Sequence, residues 1–482
     1  MRELLPVVLA ILAAGTNAPA QESQTINIGA RRELFIDHFL IDKLDGARLT
    51  LHEPHPAEIA IKNDRPWEGA FNYGGIVIND GGTFRMYYRG WPAKGSPVRC
   101  CAESEDGIHW TKPAFGIHEV AGTKDNNVIL VEAPFANNFS PFLDTRPGVP
   151  DDQRYKALAG HQNSGLFSFV SPDGVHWQKL GEKPVMTATL PNAFDSYCHA
   201  FWSESEGLYV CYFRCSVEGM RAVARTTSND FVHWSEAVPM TFSDTGTTRP
   251  SQHLYENVTG AYYRAPHIYV AFPPRFVPGR RVVTDADLET LPMANLGAGD
   301  YFHDCSDAAF MTSRGGTHYD RTFMEVFVRP GPGPANWVSR TNYPIPGVVP
   351  TGPAEMSIYV NRHYAQESWH MRRYALRIDG FASVRAPYAG GEIVTKPLTF
   401  AGNALEINFA TSAVGGIRVE IQEAGGKPVP GFALEDCPEI LGDKIDRLVS
   451  WNRGSDVTAL AGRPLRLRFV MKDADLYALR FR

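Results

Sequence analysis

Residues 104–110, 171–177 and 228–234 read Ser-Glu-Asp-Gly-Ile-His-Trp, Ser-Pro-Asp-Gly-Val-His-Trp and Ser-Asn-Asp-Phe-Val-His-Trp, and an eroded copy at 313–319 reads Ser-Arg-Gly-Gly-Thr-His-Tyr. Recurrence of one short unit restricts the chain to folds assembled from copies of a small element, and the spacing suits the radial sheets of a β-propeller. Each copy reads as a hairpin. In the first, 99–103 is a strand, Asp106 and Gly107 make the turn, and 108–110 begin the return, with Ser and Asp side chains free to bond turn amides. The Trp is expected to wedge between neighbouring sheets. His109, His176, His233 and His318 are read as scaffold, because a residue fixed in every repeat serves the repeat before it serves a ligand.

A pair of strands precedes each hairpin, clearest at 73–79 and 83–89 around Asp80-Gly-Gly82, and again at 199–203 with 208–214 and at 258–262 with 267–275. A unit over 139–177 and a degenerate one over 355–381 bring the count to five. The segment 34–41 is expected to close the ring by joining the last blade, which leaves fewer exposed edges. After Val384, six alternating stretches (393–400, 404–410, 417–422, 447–451, 465–471, 477–481) separated by Gly and Pro turns predict a β-sandwich. The predicted fold is therefore all-β: a five-bladed β-propeller over 21–385, then a C-terminal β-sandwich over 386–482, read as a buttress with a carbohydrate module as the alternative. Residues 279–302 form a long insertion in the fourth blade, on the funnel side.

The first twenty residues have the form of a signal peptide: Arg2, an apolar run from Leu4 to Ala14 too short to span a bilayer, and Ala18-Pro-Ala20 as a cleavage site. The expected location is secreted or periplasmic, with no membrane segment after cleavage. A net charge of −6 with no basic tract argues against nucleic acid. Seven cysteines without a Cys-x-x-Cys pair give little reason to expect a zinc site, and most are read as buried packing residues.

In a propeller, residues just before the innermost strands and just after the second strands converge on one funnel. The sequence offers Glu68, Asp144, Asp195, Glu256 and Glu355 for the first set and Arg89, Arg214 and Arg275 for the second. A ring of carboxylates supplies what glycoside hydrolysis needs, one group to protonate the leaving oxygen and another to attack or to activate water. Glu68, Asp144, Asp195 and Glu355 are the expected catalytic residues. Trp67, Tyr73, Arg89, His199, Arg214, Glu256 and Arg275 are the expected substrate contacts, with the arginines either neutralising the acids or holding a uronate or sulfate. The expected partner is a carbohydrate, with no cofactor and no metal; a calcium ion near His199 has no loop motif behind it.

The third hairpin looks like the Ser-x-Asp-Leu-x-His-Trp hairpin of five-bladed glycosidases. The first blade, from Pro66-Trp-Glu-Gly69 to Phe84-Arg-Met-Tyr-Tyr-Arg89, resembles the opening blade of the five-bladed hydrolases of families 32, 43 and 68. By blade order the resemblance implies Glu68 as nucleophile or base, Asp144 as transition-state stabiliser and Asp195 as general acid, with Glu355 an alternative acid. The Trp-x-Asn-Asp-Pro-Asn, Arg-Asp-Pro and Glu-Cys-Pro motifs of family 32 are absent, so fructan specificity is not implied. The reading is an exported glycoside hydrolase; a non-catalytic carbohydrate-binding propeller and a uronate lyase with Tyr197 or His199 as base are the alternatives.

Overall fold

A computed structural model describes residues 25–72, 74–293 and 301–482. The expected signal peptide at 1–20, Tyr73, and part of the 279–302 insertion lie outside the described residues. The chain is all-β. Three antiparallel sheets of four strands follow one another: Gly75–Asp80, Thr83–Gly90, Val98–Ser104 and Val128–Leu130; then Ser140–Leu143, Tyr155–His161, Gly165–Ser171 and Gln178–Lys179; then His199–Ser203, Leu208–Val217, Met220–Ser228 and Val238–Pro239. A fourth unit is split, with Thr259–Tyr262, Ala265–Ala271 and Met311–Ser313 in one sheet and His253–Leu254, Pro274–Val277 and Cys305–Ala308 in another. The fifth sheet is Tyr343–Pro350, Glu355–Arg362 and His370–Arg377, completed by His55–Lys62 from the start of the chain.

The first strands of the five units neighbour one another in cyclic order, which makes the arrangement propeller-like. All five line an axial cavity of about 230 Å³ through residues such as Ile78, Phe142, Phe201, Ala261 and Gly347. These strands are apolar along most of their length, because each packs on neighbours through both faces.

The repeated hairpins join adjacent sheets. Ser171 Oγ accepts from the amide of Gly174 at 2.9 Å, and Asp173 accepts from the amides of Val175 and His176 at 2.9 Å each and contacts His176 Nδ1 at 2.7 Å. Burial would raise the Asp173 carboxyl, but these bonds outweigh it and hold the group at about 2. Trp177 then packs edge-on against Phe139 at 4.8 Å, and the Gly174 carbonyl accepts from Tyr87 of the preceding sheet at 2.9 Å. The first copy is built alike, with Tyr359 of the fifth sheet donating to the Gly107 carbonyl. The histidines are thus Asp-bound and exposed, as a scaffold role requires. The eroded copy has no such Asp; His318 instead meets Thr241 Oγ1 at 2.9 Å.

Two sequence expectations are corrected at the chain start. The strand that completes the fifth sheet is His55–Lys62, not 34–41. Four strands within 26–51, a stretch assigned to the propeller from sequence, belong to the C-terminal sheet: Ile26–Gly29 pairs with Leu398–Phe400, Glu33–Leu34 with Leu465–Phe481, Ile41–Asp45 with Gly391–Thr395 and Arg48–Leu51 with Ala382–Ala386. That sheet has ten strands, and its two long ones, Leu405–Glu423 and Leu465–Phe481, each run through two of the stretches predicted as separate strands. The chain passes Thr411 to Gly416 with a register shift instead of a turn, because Gly415 and Gly416 let it lie against Lys472, Asp473 and Glu439 where a Cβ would collide. Its core includes Phe35, Ile393, Val419, Phe469 and Phe481, the last stacked on Phe400 at 3.6 Å. A buried ionic network ties it to the fourth unit: Asp379 accepts from Tyr262 at 2.7 Å and Arg264 at 3.1 Å, while Arg32 pairs with Glu406 at 2.9 Å. All seven cysteines are buried and free.

Candidate active site

Each of the five units enters its first strand through a similar step: Phe71-Asn72, Asn137-Asn138, Asp195-Ser196, Glu256-Asn257 and Thr341-Asn342. The second residue of each pair is buried. Three of them bond main chain: Asn72 donates to the Glu68 carbonyl at 3.0 Å, Asn257 to the Tyr212 carbonyl at 3.1 Å and Asn342 to the Ser306 carbonyl at 2.8 Å. The first residue of each pair stands at one mouth of the ring. Carboxylates occupy that position in the third and fourth units alone, as Asp195 and Glu256.

Three expected catalytic residues lie elsewhere. Glu68 is buried in the packing of the first sheet, where its carboxylate accepts from the amides of Asp64 and Arg65 at 2.9 Å each and from Tyr88 at 2.7 Å, and pairs with Lys112 at 2.6 Å. With every lone pair engaged, it has no capacity left for a substrate. Asp144 follows the first strand of its sheet, at the opposite end of the ring, held by Lys156 at 2.7 Å and Tyr209 at 2.6 Å. Glu355 opens a second strand, also at that far end, and pairs with Arg373 at 2.6 Å. Among the expected contacts, Trp67 is core and donates to Asn127 at 2.8 Å, and Arg275 is forked onto Asp307 at 2.7 Å through two nitrogens.

The remaining expectations converge. Arg89 and Arg214 end second strands at the mouth. Arg89 donates to Asn137 Oδ1 at 2.8 Å and to the Phe71 carbonyl at 2.5 Å. Arg214 pairs with Asp195, donates to the Tyr255 carbonyl at 3.2 Å, and lies 4.6 Å from the Tyr255 ring centre. Asp195 is the exposed acid, with two thirds of its side chain open to solvent. Glu256 is its opposite: it is 1% exposed, and among the described residues neither carboxyl oxygen has a hydrogen-bond partner. Burial raises its pKa to about 7, against the downward pull of Arg214, Arg89 and Arg99. His199 lies deeper, lining the axial cavity beside Tyr197; among the described residues neither ring nitrogen has a hydrogen-bond partner, and burial lowers its pKa to about 3, so its ring is neutral.

The sequence reading missed Arg99 and Arg340. Arg99 sits directly across the sheet from Arg89, donates to the Tyr197 hydroxyl at 3.0 Å and lies 5.1 Å from its ring centre. Arg340 donates from Nε to the Tyr255 hydroxyl at 3.1 Å and is surrounded by the rings of Tyr255, Tyr301 and Tyr364 at 5.8, 5.0 and 5.5 Å. Phe71, Tyr197, Tyr255, Tyr343 and Tyr364 form one apolar cluster here. The repeated x-Asn or x-Ser step before an aromatic or β-branched residue was the sequence signal that would have set the register and separated Asp195 and Glu256 from the other acids.

The backbone at this mouth is strained. Phe194, Val258, Arg340 and Asn342 hold φ of 63°, 47°, 58° and 69°, which costs on the order of 1–3 kcal/mol each in non-glycine residues and is least tolerated at a β-branched one. Such strain persists where the surrounding fold enforces a geometry that the site needs. Among the described residues, no group of three or more His, Cys, Asp or Glu side chains is placed to hold a metal ion.

No family model matches the chain, and no curated protein does. Solved structures with a similar arrangement include a glycoside hydrolase (TM-score 0.44, 10% identity, 67% of this chain and 92% of that one). Another is the glycoside hydrolase family 43 arabinoxylan arabinofuranohydrolase of Bacillus subtilis in complex with cellotetraose (0.40, 12%, 89% and 99%). A third is an N-acetylgalactosamine deacetylase of F. plautii in complex with blood group B trisaccharide (0.43, 12%, 69% and 96%). The likeness to glycoside hydrolases is distant.

Proposed function

We propose that the chain is an exported glycoside hydrolase, built as a five-bladed β-propeller with a C-terminal β-sandwich, in which Glu256 is the general acid and Asp195 the second carboxylate. The observation that carries this reading is the contrast between two acids that precede consecutive inner strands at one mouth, one buried with no hydrogen-bond partner among the described residues and one exposed and paired with Arg214. A carboxyl held near pH 7 by burial keeps its proton at neutral pH and can deliver it to a leaving oxygen, while an exposed, ionised carboxylate can attack the anomeric carbon or activate water. Entry of a sugar ring requires the aromatic side chains around Glu256 to give way. Product analysis on a glycan panel with wild type, Glu256→Gln and Asp195→Asn tests the reading: glycan cleavage lost in both variants with folding intact supports it, and unchanged turnover in both removes it.

A uronate lyase is the second reading. It is favoured by one contact, the Arg99 guanidinium bonded to the Tyr197 hydroxyl, which places a cation beside a candidate phenolic base. An unsaturated product seen by ultraviolet absorbance distinguishes elimination from hydrolysis.

A further inference from the structure

We infer that the mouth of the ring takes an anionic sugar, and that Arg340 grips its acid group. This rests on the reading of the mouth as a glycan site, by hydrolysis or elimination. Four guanidinium groups, Arg89, Arg99, Arg214 and Arg340, gather where the carboxylates among the described residues are Asp195, which pairs with Arg214, and Glu256. Arg99 is completely buried, yet its described partners are all neutral: the Tyr197 hydroxyl and the carbonyls of Ala136 and Asn137. Interior positive charge in excess of fixed negative charge is costly, and a ligand anion offsets it.

Arg340 has the geometry to receive that anion. Its Nε is spent on Tyr255, while among the described residues its two terminal nitrogens make no hydrogen bond, so a two-pronged donor remains open. The tyrosine rings around it fix the guanidinium plane and offer flat faces to a pyranose. Arg340 bonds the hydroxyl of Tyr255, the residue immediately before Glu256, so an acid group on Arg340 belongs to a sugar that reaches toward the proposed proton donor. Arg340 and Asn342 both hold a left-handed backbone in the segment that enters the fifth sheet.

The acid group is a uronate carboxylate or a sulfate ester, and both accept two parallel N–H bonds. Calorimetric titration with galacturonate and glucuronate tetrasaccharides, their carboxyl-reduced counterparts, and sulfated galactan tetrasaccharides with desulfated counterparts separates the two sources. One acidic set is expected to bind at least 10-fold more tightly than its neutral counterpart. Arg340→Ala is expected to weaken that set by about 10- to 100-fold, the worth of a charged hydrogen-bonded pair, and to leave the neutral sugars unchanged. Arg340→Lys keeps the charge without the fork and is expected to fall between, which covers the case of an unfolded Ala variant. Equal binding of acidic and neutral sugars, no binding of either acidic set, or acidic binding untouched by both variants overturns the inference. Cleavage of neutral glycans with no acidic preference sinks it while leaving the glycosidase standing; acidic binding with no cleavage of any glycan does the reverse.

Discussion

Lys112 Nζ lies 2.6 Å from Glu68 Oε1, in a pair whose acidic partner is entirely shielded from water. Glu68 bonds two amides of its own turn and the hydroxyl of Tyr88, so the carboxylate fastens the segment leading into the first sheet onto the sheet's second strand. Glu68→Gln leaves Lys112 with the exposed Asp64, at 2.8 Å, as its remaining carboxylate and weakens the bonds to two turn amides and Tyr88, a loss of about 1–3 kcal/mol, below the cost of stranding a fully buried charge. The expected outcome is a lower urea midpoint with turnover per folded molecule unchanged. A variant as stable as wild type but inactive would return Glu68 to the chemistry.

That residue also shows what the sequence could and could not tell. The hairpins at 104–110, 171–177 and 228–234 announce themselves, because Ser, Asp, His and Trp each perform a local task within seven residues. The all-β class and the strand pairs follow from the same local logic. Which acid faces the mouth does not, since Asp144 and Glu355 differ from Asp195 and Glu256 only in standing after or beside the first strand instead of before it. A misreading of a few residues moves a carboxylate the full length of a strand. Nor could the sequence place Ile26–Gly29, whose partner Leu398–Phe400 is distant in the chain and enters in parallel. No motif marks Arg99 in the sequence; its place across the sheet from Arg89, and so at the mouth, emerges only from the strand pairing.

Glu256 sets the expected pH behaviour. Its folded pKa of about 7 stands above the unfolded value of 4.5, so the native state holds a proton that the unfolded chain releases. Below pH 4.5 the group has no effect on stability; between 4.5 and 7 it destabilises progressively, to a plateau on the order of 3 kcal/mol. Glu256→Gln is therefore expected to melt higher than wild type at pH 8 and to lose that advantage at pH 4.5. If Glu256 is the general acid, kcat/KM falls as pH rises through about 7, and the substitution lowers kcat about 10²- to 10⁴-fold. A rate profile with no alkaline limb, or a Gln variant that keeps one, contradicts the assignment.

Glu33 predicts the opposite sign for the junction with the C-terminal sheet. Burial pushes its carboxyl up, but the bond from His267 and the charge of Arg314, at 3.1 and 2.7 Å, outweigh it and bring the pKa to about 2. Its contribution is complete above pH 4.5 and is lost as pH falls toward 2, by at most about 3 kcal/mol. Glu33→Gln should lower the melting temperature at pH 7 and converge with wild type in acid. A difference that stays at its full pH 7 size down to pH 2.5 would mean that Glu33 acts through packing and not through its charge.

The turn position shared by Gly107, Gly174 and Phe231 gives a paired test of how the sheets are joined. All three hold a left-handed backbone, at φ of 72°, 77° and 68°. At Gly174 a Cβ would fall 2.5 Å from the Tyr87 hydroxyl, so Gly174→Ala adds both strain and a collision where one sheet grips the next, and should cost at least about 1–2 kcal/mol. At Phe231 the strain is already present, and the ring offsets it by packing on Phe142, Tyr209 and Trp234 at 5.5, 5.3 and 5.6 Å. Phe231→Gly relieves the backbone and deletes a fully buried ring, and the second effect is larger, since emptying such a site costs about 3–5 kcal/mol. Both variants should unfold at lower urea, the Phe231 variant by more. A stabilised Phe231→Gly would show that the contact between the second and third sheets does not depend on that ring.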